Sequence, residues 1–220
     1  MKRLTLSIVT LGCAVAAQAA GTALYETGPA QDAAFVRFVN ATPQGLEVVS
    51  GKARLRVPVD KPVSDYLSVK PNTTIGGTIE GAGQVGKVDV KTKPSAFATV
   101  VAVPGGDAKT LRTLVISEAP DDFNGLKSAI AFYNFDAGCK AAGLQTTKAV
   151  AMFSNVADKA VQRRMVNPIA LAVQPTCEGK PRGGTVDLGM LQAGQRYSLL
   201  LVPTGPGASR LMFVADEIAR

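Results

Sequence analysis

"GTVDLGMLQAGQRYSLLLVPTG" (residues 184–205) restates "GKVDVKTKPSAFATVVAVPGG" (residues 86–106) almost a hundred residues later. Val186-Asp187-Leu188 stands over Val88-Asp89-Val90, and Val202-Pro203-Thr204 over Val103-Pro104-Gly105, one residue further out of step. Working outward, "ASRLMFVADE" (208–217) matches "KTLRTLVISE" (109–118), which sets Glu217 over Glu118. Upstream, "IAFYN" (130–134) matches "VRFVN" (36–40), with Phe132 over Phe38 and Asn134 over Asn40. The blocks keep their order at a spacing of a whole domain, too long for a solenoid repeat. The chain therefore reads as a duplication.

Each copy consists of short apolar runs cut by turn residues such as Gly51-Lys52, Lys70-Pro71-Asn72 and Gly105-Gly106-Asp107. Seven or eight such runs per copy predict an all-β fold: two tandem immunoglobulin-like β-sandwich domains of Greek-key type. The run "ARLRV" alternates, with Leu55 and Val57 on one face and Arg54 and Arg56 on the other. By contrast, "FATVVAVP" and "YSLLLVP" are nearly continuous. That pattern suits a strand buried on both faces or lying under another layer. Helix signals are weak: "DKAVQRRM" has the composition for one or two turns, ended by Asn167-Pro168. The expected division is a signal peptide (1–20), a first sandwich (21–118), a polar linker (119–127) and a second sandwich (128–220). In the linker Phe123 is expected to tuck against a neighbouring domain, whereas Asp121-Asp122 implies no pocket.

The first twenty residues carry Lys2 and Arg3, an apolar stretch too short to span a bilayer comfortably, and the small-residue site Ala17-Gln18-Ala19. This predicts export to the periplasm with cleavage before Ala20 or Gly21. The alternative is lipidation at Cys13, although Thr10 stands where that motif wants leucine. Loss of Lys2 and Arg3 leaves 22 basic against 17 acidic side chains, a net charge of +5. It also leaves two cysteines, Cys139 and Cys177. In an oxidising compartment they are expected to form one disulfide, the alternative being two separate buried thiols.

The chain has no histidine. This removes Ser-His-Asp and Cys-His catalysis and the commonest metal ligand. No G-x-S-x-G elbow is present, and Gly76-Gly77 and "GAG" (81–83) precede no helix, which fits hairpin or bulge glycines better than a phosphate loop. A Ser–Lys dyad stays open on composition alone. No catalytic residue, metal site or cofactor is expected. The recurring Asp89 and Asp187 read as turn caps or solvent-facing groups. Basic residues show more order: Lys52, Arg54 and Arg56 share a strand face, as do Lys87, Lys91 and Lys93 with Asp89 between them. Arg163, Arg164, Lys180 and Arg182 add charge in the second copy. Lys52, Arg54, Arg56, Lys91, Lys93, Arg163 and Arg164 are the candidate contacts for an acidic polymer or partner protein; the plainer reading is a solvated face that discourages edge pairing. Stacking on sugars is disfavoured by 5% aromatic content and no Trp. Nucleic acid is disfavoured by the export signal.

The stretch "GTALYETGPAQDAAFVRFVNA" (21–41), with its "ALY" and "AFVR", resembles the start of the periplasmic alginate biosynthesis AlgF family, and "RRMVNPIALAV" (163–173) resembles a second-domain strand of that family. The resemblance spans roughly the whole mature chain. It implies an accessory protein for O-acetylation of an exopolysaccharide, built from two sandwiches and lacking a catalytic motif to transfer. The implied partners are periplasmic acetyltransferases and a membrane-bound O-acyltransferase, with an anionic polysaccharide as a further expected contact. A polysaccharide-binding module is the alternative function, and an acetyl carrier a more distant one.

Overall fold

The computed structural model describes residues 33–119, 124–205 and 207–219. The expected signal peptide, with Cys13, and the linker residues Asp121, Asp122 and Phe123 lie outside the described residues. The first copy contains β1 (Ala34–Asn40), β2 (Leu46–Ser50), β3 (Ala53–Val57), β4 (Leu67–Val69), β5 (Thr74–Gly81), β6 (Gln84–Lys91), β7 (Phe97–Pro104) and β8 (Leu111–Glu118). The second contains β9 (Ser128–Asn134), β10 (Ala142–Thr146), β11 (Ala151–Val156), β12 (Ala160–Val166), β13 (Ala170–Cys177), β14 (Lys180–Pro181), β15 (Val186–Met190), β16 (Arg196–Gly205) and β17 (Ala208–Ala215).

These strands form two β-sandwiches of matching topology. In the first, the sheet β4-β1-β7-β8 packs on β3-β2-β5-β6; in the second, β12-β9-β16-β17 packs on β11-β10-β13, which β14 and β15 extend. In both copies the opening strand pairs in parallel with the penultimate one, β1 with β7 and β9 with β16. Register confirms the duplication residue by residue. Val88 faces Gly77 as Val186 faces Val173, so Asp89 and Asp187 are equivalent, both exposed. At the last strand the register corrects the sequence alignment by one step. Ala98 pairs with Ser117 and its counterpart Tyr197 with Ala215, so Glu118 corresponds to Asp216, not Glu217.

Each sandwich has its own core. Val36, Phe38, Val48, Ile79, Val88, Val100 and Leu111 fill the first. Ile130, Phe132, Leu144, Phe153, Leu188, Leu199 and Leu201 fill the second, with the Cys139–Cys177 disulfide at its margin, Cα atoms 5.5 Å apart. A third apolar cluster lies between the sandwiches. It joins Val39, Val101, Val103 and Ile116 of the first to Tyr133, Phe135, Leu200, Val202 and Met212 of the second. The inner sheets are therefore apolar on both faces, and the molecule is a stack of four sheets. This accounts for the continuous runs at 97–104 and 196–203: alternate residues of β7 and β16 serve different cores. The outer strands alternate instead, as in β6, where Val88 and Val90 point inward and Lys87, Asp89 and Lys91 outward.

Two local expectations are corrected. The segment "DKAVQRRM" supplies a strand, β12, that pairs along all 7 residues of β9; ladder bonds to a buried neighbour override a weak helical preference. Gly76 and Gly77 lie inside β5, not in a hairpin. A Cβ on Gly77 would meet the Val49 carbonyl oxygen at 2.2 Å, so close approach of β2 requires glycine there. The "GAG" segment does turn a hairpin: Gly81 pairs with Gln84, and Gly83 adopts φ +77°.

Candidate partner-binding surfaces and the junction that orients them

Outward surfaces hold a fixed relation only if the two sandwiches are fixed to each other. The junction achieves this with a buried ionic network below the apolar cluster. β1 turns Phe38 into the first core, so Arg37 points the other way, toward the second sandwich. Its side chain is 1% exposed. The guanidinium donates to Asp216 Oδ1 (2.7 Å), Ser198 Oγ (2.9 Å) and Thr99 Oγ1 (3.0 Å). It also lies over the rings of Tyr66 (4.5 Å) and Tyr133 (5.3 Å). Ser198 donates to the same Asp216 oxygen at 2.7 Å. The reciprocal pair sits alongside: Arg163 of the second sandwich binds Glu118 of the first at 2.6 Å, and Tyr133 donates its hydroxyl to Glu118. Since Glu118 and Asp216 are equivalent positions, each copy carries at the end of its last strand, or one residue past it, a carboxylate that takes an arginine from the other. The segment after β17 adds backbone bonds across the junction, Tyr66 N–H to Glu217 O and Ala219 N–H to Tyr66 O, both at 2.8 Å.

Burial shapes the titration of this network. Desolvation pushes the Tyr133 phenol well above its ordinary value, with Tyr66 adding to the shift. Tyr66 is raised as well, by desolvation first and against the pull of Arg37. For Arg37 burial acts downward, but Tyr66, Tyr133 and Asp216 outweigh it and the guanidinium is held above its usual range. Network members are thus neutral phenols and a permanently charged arginine.

Among the described residues no group of three or more metal-ligating side chains occurs. Among the described residues Ser198 meets a carboxylate, on the Asp216 oxygen that Arg37 already holds, and Ser209 meets one by donating to Asp136. Arg182 donates to both, at 2.9 Å to Ser209 and 3.0 Å to Asp136, and Gly138 N–H donates to the other Asp136 oxygen at 2.9 Å. The cluster ties the loop after β9 to β17, and both carboxylate oxygens are engaged.

The expected basic contacts divide. Lys52, Arg54, Arg56, Lys91 and Lys93 are exposed on the first sandwich. They do not make a uniform positive field. Glu47 sits between Arg56 and Glu80 in register and pairs with Arg54 at 2.8 Å, and Asp89 pairs with Lys87 at 3.1 Å. Lys91 and Lys93 border an open groove of about 320 Å³ that runs to Ser117 and Glu118. Arg163 and Arg164 separate, correcting their grouping as one surface pair: neighbours on a strand face opposite ways. Arg163 belongs to the junction, while Arg164 is exposed and donates to Met152 O at 3.1 Å. Arg37, the centre of the junction, was not singled out from sequence. Its signal was a lone charge inside the apolar run "AFVRFV". An apolar groove of about 410 Å³ opens between β3 and β4, lined by Val36, Phe38, Val48, Leu55, Leu67 and Val69.

No curated protein matches the chain. Among solved structures, a candidate cell adhesion protein from Bacteroides uniformis is similar at 10% identity and a TM-score of 0.28, over 84% of this chain and 99% of that one. The family model described as alginate O-acetyl transferase AlgF matches residues 5–197, and the chain belongs to the AlgF family.

Proposed function

We propose that the chain is a non-catalytic periplasmic adaptor for O-acetylation of an exopolysaccharide, with alginate as the polymer, and that it holds periplasmic acetyltransferases near a membrane-bound O-acyltransferase. The observation that carries this reading is the junction. A shared apolar cluster and two reciprocal ion pairs spend the inner sheets on rigidity, which leaves outer faces, edges and grooves in a constant mutual orientation. Acyl transfer requires a nucleophile with a base free to take its proton. Ser209 faces a carboxylate already engaged by Arg182 and Gly138, and Ser198 faces one already engaged by the buried Arg37. The family's transferase description is then read as naming the process in which the chain participates. Affinity co-purification with the acetyltransferase and acyltransferase of the same organism tests the proposal. Stable complexes are expected; their absence, or a stoichiometric acetyl adduct on the purified chain after incubation with an acetyl donor, refutes it.

A further inference from the structure

The two copies treat one edge differently. In the second sandwich the gap between the inner-sheet edge β12 and the outer-sheet edge β11 is bridged by side chains. Arg164 donates to Met152 O at 3.1 Å and Gln162 to Ser154 O at 3.5 Å. In the first sandwich Leu67 faces Val36 as Arg164 faces Ile130, so a leucine stands where the bridging arginine does. The Leu67 side chain has no donor to offer, and among the described residues the gap stays open as the apolar groove between β3 and β4.

The rim of this groove is a strand edge. β2 and β3 join through the two-residue turn Gly51-Lys52, with Ser50 paired to Ala53. Hydrogen-bonded pairs alternate along such a hairpin, so Ser50–Ala53, Val48–Leu55 and Leu46–Val57 use their backbone groups internally. The N–H and C=O groups of Arg54 and Arg56 then point to the open edge. These are the counterparts of Met152 and Ser154, whose carbonyls take the bridging side chains in the second copy. Among the described residues no strand pairs with the outer side of β3, and such an edge beside an apolar slot accepts an extended peptide by strand addition, backbone bonds supplying affinity and the slot selecting alternate side chains. The charge on β3 chooses the sign of the guest. Arg54 and Arg56 stand on β3 and Lys52 in the turn before it, all exposed, and Glu47 pairs with Arg54. Cations on an edge repel basic strands and attract acidic ones. A sugar polymer has neither the backbone donors for the edge nor apolar side chains for the slot.

We propose that the groove between β3 and β4 binds an extended acidic strand of a partner protein, which adds to the edge of β3 and seats an apolar side chain between Leu55 and Leu67. The inference deepens the adaptor reading and rests on it.

The test uses the full mature chain and a blocked ten-residue peptide of alternating Val and Glu. Saturable binding that slows amide exchange at Arg54 and Arg56 is expected. Leu67→Arg, which copies the closure of the second sandwich, should weaken it about tenfold or more, the loss of one apolar anchor. Arg54→Pro, which removes an outward N–H on an edge where proline is tolerated, should weaken it while leaving the slot intact. Absence of peptide binding, equal binding by Leu67→Arg, or amides at 54 and 56 already protected in the free chain by its own residues 21–32 or by a second copy overturns the proposal. Co-purification of acetyltransferase by the unmodified chain but not by Leu67→Arg supports the groove. Co-purification unchanged by Leu67→Arg refutes the groove alone, and none by the unmodified chain refutes the adaptor reading.

Discussion

Arg37 shows how one residue acquires a role from what surrounds it. An arginine within an apolar strand is costly to bury unless its donors are met, and here Thr99, Ser198 and Asp216 meet them. Arg37→Ala leaves Asp216 buried beside an empty site and should cost about 3–5 kcal/mol, measured by denaturant unfolding. Arg37→Met combined with Asp216→Leu removes both charges and should recover much of that loss. Tyr66 and Tyr133 supply a pH signature. Their folded values lie above the ordinary 10.0, so the folded chain retains protons that the unfolded chain releases. Their contribution is fully present below pH 10 and is lost as pH climbs through the folded values. Spectrophotometric titration should show the Tyr66 and Tyr133 phenols ionising late, with unfolding; phenylalanine replacement of each that removes no late phase would contradict their burial. The matched Asn40 and Asn134 have equivalent duties, each amide donating to the end of its outer-sheet strand, Val57 O at 3.0 Å and Val156 O at 3.1 Å.

At the scale of elements, the second sandwich is stapled and the first is not. The disulfide closes a sequence separation of 38 residues, linking the loop before β10 to the end of β13. Its removal by Cys139→Ser and Cys177→Ser should lower stability by about 4 kcal/mol on the chain-entropy account, read from the shift in the unfolding midpoint. β4 and β12 occupy equivalent places at the inner-sheet edge, yet β4 is 3 residues long and β12 is 7. The segment before β4 delivers Val63 and Tyr66 to the junction and meets β1 through the Val39–Val63 bridge and a bond from Phe38 N–H to Ser64 Oγ. The shorter edge of the first sandwich follows from serving the second.

At the scale of the molecule, the third cluster is shared by both sandwiches. Domain interfaces within a chain are commonly polar and mobile, whereas this one is apolar at its centre and ionic at its margin. A single cooperative transition is therefore expected in thermal unfolding. Leu200→Asp places an unpaired charge in the interface without entering either sandwich core. It should split the transition in two and broaden the solution-scattering envelope, whereas an unchanged single transition would show that the cluster does not couple the sandwiches.

The duplication, the strand content, the pairing of Cys139 with Cys177 and the double burial of β7 and β16 were legible in the chain itself. Each is written in local periodicity, spacing or composition, which depend on residues near one another in sequence. The order of the sheets, the reciprocal grasp of Asp216 by Arg37 and of Glu118 by Arg163, and the separation of Arg163 from Arg164 were decided by the tertiary structure. So was the opening beside β3. A charged side chain in a strand reads the same whether it meets water or a carboxylate from a distant part of the chain. Only the packing of one inner sheet on the other removes the water and supplies the partner.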